Sequence, residues 1–149
     1  MEDPLNINIP LVGVETALPL LPEADYKLQC VESTVEANKE RTGLNWNLKL
    51  VTTEPATAVD GRTVNPNFPL FVVISLPNAD SKDVEATTRT ICGAVDSLYG
   101  TDKTTRPDFN RETIVGAVGK LCQAHVTVDT WEGRDRNKIK PWGLKPLVA

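Results

Sequence analysis

Leu44-Asn45-Trp46-Asn47-Leu48-Lys49-Leu50 alternates apolar and polar residues without a break. A period of two puts Leu44, Trp46, Leu48 and Leu50 on one face and Asn45, Asn47 and Lys49 on the other. This is the pattern of a strand with one buried side. Upstream, Tyr26-Lys27-Leu28-Gln29-Cys30 alternates in the same way, with Tyr26, Leu28 and Cys30 toward a core. The polar stretch from Val35 to Gly43 reads as the loop between these strands. Downstream, Asp60-Gly61-Arg62 marks a turn and Asn65-Pro66-Asn67 a loop. Phe68 to Leu76 is a third strand, with Phe68, Leu70, Val72, Ile74 and Leu76 on one face and Phe71, Val73 and Ser75 on the other.

From Asp80 the period changes. Val84, Thr88, Ile91, Val95 and Leu98 recur at spacings of three and four, which predicts an amphipathic helix. Asp80 or Ser81 can cap it, and Gly100 follows its last turn. Asn110 can cap a second short helix that carries Ile114 and Val118 and ends near Gly119. Residues 120–131 return to strand. Cys122, Ala124, Val126 and Val128 form its apolar face, and Gln123, His125, Thr127, Asp129 and Trp131 the other. Glu132 to Asp135 reads as a hairpin turn, with a return strand from Asn137 to Trp142.

The chain is therefore expected to be mainly β, in the order β-β-β-α-β-β with the helix in two pieces. That order matches the OB-fold, a small five-stranded barrel. A ferredoxin-like fold would need a helix between the first two strands, where the loop is too short and too polar. Residues 1–22 carry prolines at 4, 10, 19 and 22 and read as an extended apolar arm. Residues 23–143 form the barrel domain and 144–149 a short tail.

A chain of 149 residues is one ordinary domain and can bury a core without staples. Hydrophobic residues are 40% and charged residues 24%, which excludes wholesale disorder. No apolar run approaches the roughly 18 residues of a membrane span, and the N-terminal stretch lacks the pattern of a secretory signal. The three cysteines, Cys30, Cys92 and Cys122, include no Cys-x-x-Cys spacing and sit among apolar neighbours. They read as reduced core thiols of a cytoplasmic protein. With a single histidine, a histidine-based metal cage is not expected. No cofactor is expected.

Charge is unevenly spread. Residues 1–40 hold eight acids and two bases, residues 41–119 nine and eight, and residues 120–149 three and six. An acidic chain does not coat duplex DNA nonspecifically, but its basic C-terminal segment can make a local cationic face. Catalytic motifs are missing: there is no G-x-x-x-x-G-K-[ST], G-x-S-x-G or H-E-x-x-H. Gly116-Ala117-Val118-Gly119-Lys120 lacks the context of a phosphate loop and reads as a helix end. His125 reads as a surface or hydrogen-bonded histidine. Asp102 and Asp108 read as loop caps and solvated charges. A nuclease needs several carboxylates converging on a metal, and no such grouping is legible.

The outward strand positions form the stronger constellation. Lys49, Phe71, Trp131, Lys138, Lys140 and Trp142 fall there with Asn45 and Asn47, and Arg134 and Arg136 lie at the adjoining hairpin. Single-stranded nucleic acid asks for this mixture, because cations track phosphates while aromatic faces stack bases of any kind. Trp46 lies on the apolar face and is expected in the core.

Three stretches carry a family resemblance: Leu21-Pro22-Glu23-Ala24-Asp25-Tyr26, Thr42-Gly43-Leu44-Asn45-Trp46-Asn47-Leu48, and Gly133-Arg134-Asp135-Arg136-Asn137-Lys138-Ile139-Lys140-Pro141-Trp142. They resemble a group of small bacteriophage proteins, encoded among replication and recombination genes, that are similar to single-stranded DNA-binding proteins. The resemblance spans about residues 20–143. Ala24 stands where that pattern has glycine, and the arm lies outside it. The ending Lys145-Pro146-Leu147-Val148-Ala149 differs from the acidic tail of bacterial single-strand binders, so recruitment of host repair enzymes through such a tail is not expected. The resemblance implies a non-catalytic phage protein that coats single-stranded DNA during replication or recombination in the host cytoplasm. Its expected partners are single-stranded DNA, further copies of itself, and phage replication or recombination proteins, with no membrane. Two rivals stand beside this expectation: a phage structural or assembly protein whose arm contacts other subunits, and a nuclease or other nucleic-acid enzyme.

Overall fold

The computed structural model describes residues 5–13, 18–77 and 84–147, apart from the side chain of Trp131. The elements are β1 (Ala24–Ala37), β2 (Leu44–Thr52), β3 (Ala56–Thr57), β4 (Thr63–Val64), β5 (Pro69–Ser75), α1 (Val84–Tyr99), α2 (Arg111–Gly116), β6 (Leu121–Trp131) and β7 (Arg134–Lys145). The fold is mainly β. Five strands form one antiparallel sheet in the order β5-β2-β1-β6-β7, and β3 with β4 makes a small separate hairpin. The edge strands β5 and β7 approach each other without forming a ladder.

β1 is the hinge of the sheet. Its first half pairs with β6 and its second half with β2. The expected strand at 26–30 therefore continues to Ala37, and only residues 38–43 form the loop. Val31 is the reason the continuation is hidden. Cys30 pairs with Leu50 and Glu32 with Lys49, so Val31 has no partner and forms a bulge. One extra residue flips the inward phase from Leu28 and Cys30 to Ser33 and Val35, which breaks a simple period of two.

β2 and β5 follow their alternation. Trp46, Leu48 and Leu50 face inward with Leu70, Val72 and Ile74, all nearly or fully buried. Leu44, expected inside, is half exposed at the strand's end. Trp46 is the largest fully buried side chain. Its Nε1 donates to Ser33 Oγ at 2.8 Å, and the Phe109 ring meets it edge-on at 4.9 Å.

α1 packs Ile91, Ala94, Val95 and Leu98 into the core, but Val84 and Thr88 of the expected apolar face are exposed. A helix of 16 residues is about 24 Å long, and only its C-terminal half lies over the core. Gly100 terminates it with φ of 66°; the proposed caps Asp80 and Ser81 lie outside the described residues. Asn110 caps α2 as expected, its Oδ1 accepting from Thr113 N at 3.1 Å. α2 stops at Gly116, and Val118 is exposed rather than packed. The intervening loop is held by a two-pronged ion pair. Arg106 Nε and Nη2 donate to Asp96 Oδ1 and Oδ2 at 2.9 and 2.6 Å.

Leu21 is fully buried and Leu144 nearly so; both belong to the core cluster. The Asn137 amide grips the segment before β1 by donating to Leu21 O and accepting from Leu21 N, each at 2.8 Å. Cys30 and Cys122 are buried and Cys92 half-buried, all without disulfides. Burial pushes the Cys30 thiol up to about 11 and that of Cys122 up to about 12, so both stay protonated. Among the described residues, no helix is long and apolar enough to cross a membrane.

Candidate nucleic-acid interface

β6 and β7 form a hairpin whose turn is only Glu132-Gly133. Both turn residues have positive φ, 51° and 76°, as a two-residue type I′ turn requires. The expected turn at 132–135 is therefore shorter, and Arg134 and Asp135 belong to β7. Val128, expected on the apolar face, is exposed, because this end of the hairpin runs past the core.

Register sets what this ribbon presents. Lys138 stands opposite Thr127, Arg136 opposite Asp129 and Arg134 opposite Trp131. Alternate residues of a strand share a face, so Arg134, Arg136 and Lys138 form one row at steps of roughly 6.6 Å. Of Trp131, only this register position is described. The row is not purely cationic. Asp129 Oδ2 lies 3.7 Å from Arg136 Nη2 and 3.9 Å from Lys138 Nζ. Period-two reading places Asp129 on this face but not the two contacts it makes.

Beyond Ile139, β7 breaks register. Val126 pairs with Ile139 and Ala124 with Leu144, so four residues, Lys140 to Gly143, stand opposite His125 alone. This wide bulge accommodates Pro141, which has no N–H for a ladder. It also carries Trp142 outward, 70% exposed, with Lys140 Nζ 5.8 Å from the ring centroid. Gly143 closes the bulge because a Cβ there would meet Lys140 O at 3.1 Å. Lys138 and Lys140 line a shallow hollow with Glu23, Thr127, Val128 and Asp129.

Lys49 and Phe71 lie at the other edge of the sheet order. They are directly opposed on β2 and β5, with Asn47 and Val73, and Asn45 and Ser75, in register beside them. Phe71 is 62% exposed, and Lys49 Nζ is 4.0 Å from Glu32 Oε1. The candidate residues therefore fall into two groups, Lys49 with Phe71, and Arg134, Arg136, Lys138, Lys140 and Trp142 on β7. The first group lies on β2 and the edge strand β5, the second on the edge strand β7, and these two edge strands approach each other.

A third cluster joins residues about a hundred positions apart. His125 Nδ1 lies 2.8 Å from Asp25 Oδ1, and its Nε2 lies 3.2 Å from Glu23 Oε1. Lys145 Nζ donates to Asp25 Oδ2 at 3.1 Å. Hydrogen bonding to Asp25, then to Glu23, raises the His125 pKa, and the bonds from His125 and Lys145 lower that of Asp25. Only the pairing of β1 with β6 reveals this group. Among the described residues, no three His, Cys, Asp or Glu side chains converge as a metal cage. Asp102 accepts from the backbone of Thr104 and Thr105, as a loop cap does. Compared with protein-family models and with curated proteins, the chain matches none.

Proposed function

We propose that this chain is a non-catalytic single-stranded DNA-binding protein with an OB-type barrel, acting in phage replication or recombination. One observation carries the reading. The bulge in β7 throws Trp142 into solvent at the end of a row of cations, Lys140, Lys138, Arg136 and Arg134. Bulges re-aim side chains next to binding sites, and this one turns the Trp142 ring outward beside Lys140. A strand running along β7 would have its phosphates met by the cations and a base stacked on Trp142.

Three features support the barrel type: a long first strand shared between two halves of the sheet, a helical segment between the third and fourth long strands, and edge strands that approach one another. In OB-folds, oligonucleotides bind on the face of the second and third strands and at the loop joining the last two. Here those places hold Lys49 with Phe71, and the Glu132-Gly133 hairpin.

The test is titration with oligo-dT followed by tryptophan fluorescence. Binding should quench emission, and Trp142→Ala should weaken it by about 1–3 kcal/mol with little change in melting. Absence of binding at low salt would overturn the proposal.

A further inference from the structure

Residues 5–13, Leu5-Asn6-Ile7-Asn8-Ile9-Pro10-Leu11-Val12-Gly13, contain no charge, and Leu5, Ile7, Ile9 and Leu11 alternate with polar residues or proline. Alternation of this kind gives an extended segment one apolar edge. Its own domain leaves that edge uncovered: Ile7, Ile9 and Leu11 are 68%, 64% and 73% exposed. The base of the arm is fixed, since Leu21 is in the core, clamped by Asn137, and Leu20 O accepts from Val59 N at 2.8 Å.

Among the described residues, the outer sheet face offers matching chemistry. The outer face of β2 and β5 presents Phe71 and Val73, 62% and 48% exposed, among Asn45, Asn47 and Ser75. Its one charged position, Lys49, already faces Glu32. The β7 ribbon, by contrast, carries Arg134, Asp135, Arg136, Lys138 and Lys140, which an uncharged apolar segment does not complement.

We infer that the arm of one chain lies across the outer face of β2 and β5 of a second copy, with Ile7 and Ile9 against Phe71 and Val73. Reciprocal exchange of two such arms closes a two-fold dimer, the commonest symmetric assembly. Extended-segment docking of this kind takes its specificity from alternate side chains. The inference goes beyond nucleic-acid binding, and on this face the arm and a base would compete for Phe71.

The experiment is sedimentation velocity on the full chain without nucleic acid. The wild type should run at twice the single-chain mass of 16.3 kDa. The double substitution Ile7→Ser with Ile9→Ser should run as a single chain, and so should Phe71→Ser with Val73→Ser, each with unchanged circular dichroism. A synthetic peptide of residues 5–13 added to the arm variant should shift the amide resonances of Phe71 and Val73. A monomeric wild type overturns the inference. So does an arm variant that keeps the dimer, or a face variant that keeps it while the arm variant dissociates. Peptide shifts confined to other strands also overturn it, and that readout needs no substitution in the sheet.

Discussion

Replacing Lys138 and Lys140 together with alanine removes two charges from the β7 row and leaves the buried Ile139 between them in place. Each phosphate neutralised on a single strand contributes about −0.7 to the slope of log affinity against log salt. Lys49, Arg134, Arg136, Lys138 and Lys140 give about −3.5 at one contact each, and the double variant about −2.1. Over a fourfold rise in salt, wild-type affinity should fall about 130-fold and that of the variant about 18-fold. Asp129 gives the same reasoning a test of opposite sign. Its carboxylate sits 3.7 and 3.9 Å from Arg136 and Lys138, so a phosphate must compete with it. All three groups are about half exposed, and pairs of this kind are worth under about 1 kcal/mol. Asp129→Asn should therefore tighten binding roughly two- to fivefold at low salt. The assay is fluorescence titration with oligo-dT at several salt concentrations. Oligonucleotides of mixed sequence should respond alike, because phosphate contacts do not read bases. An unchanged slope in the lysine variant would mean that these residues merely keep an edge strand soluble, and weaker binding by Asp129→Asn would refute the electrostatic row.

Trp46→Ala should cost about 3–5 kcal/mol in urea denaturation, since it empties the space of a fully buried ring; a variant of wild-type stability would contradict the register of β2. Asn137→Ala should cost about 2 kcal/mol, because it strips partners from both the N–H and the C=O of Leu21; an unchanged melting temperature would show that the clamp contributes nothing. The cluster at His125 sets a pH dependence with two signs. His125 has a raised pKa, so its contribution is complete below the ordinary histidine value of 6.5 and fades as pH climbs through the raised one. Asp25 has a lowered pKa, so its contribution is present above 3.8 and is lost as pH falls through the depressed value. Melting temperature should decline on the alkaline side in the wild type more than in His125→Gln; parallel profiles would remove His125 from the stability account.

Much of the architecture is written locally. The alternation of Leu44–Leu50 and Phe68–Leu76, the change of period after Asp80, and Asn110 as a cap are short-range properties, and a short-range reading finds them. Trp46 is placed inside by the same alternation that leaves Phe71 outside. A row of β7 cations is also legible, because residues two apart on a strand must share a face.

Register against a partner strand has no such local signature. Val31 is an extra residue only because Cys30 and Glu32 meet consecutive residues of β2, and Lys140 to Gly143 form a bulge only because one residue of β6 stands opposite them. Tertiary structure alone decides that Asp129 sits between two of the cations, and that Asn137 holds Leu21 from 116 positions away. It likewise brings Glu23 and Asp25 to His125. These contacts join residues far apart in the chain, and neither partner's neighbours along the sequence carry any periodic trace of the other. The composition of the candidate interface is therefore a property of the sequence, while its net charge at each point is a property of the fold.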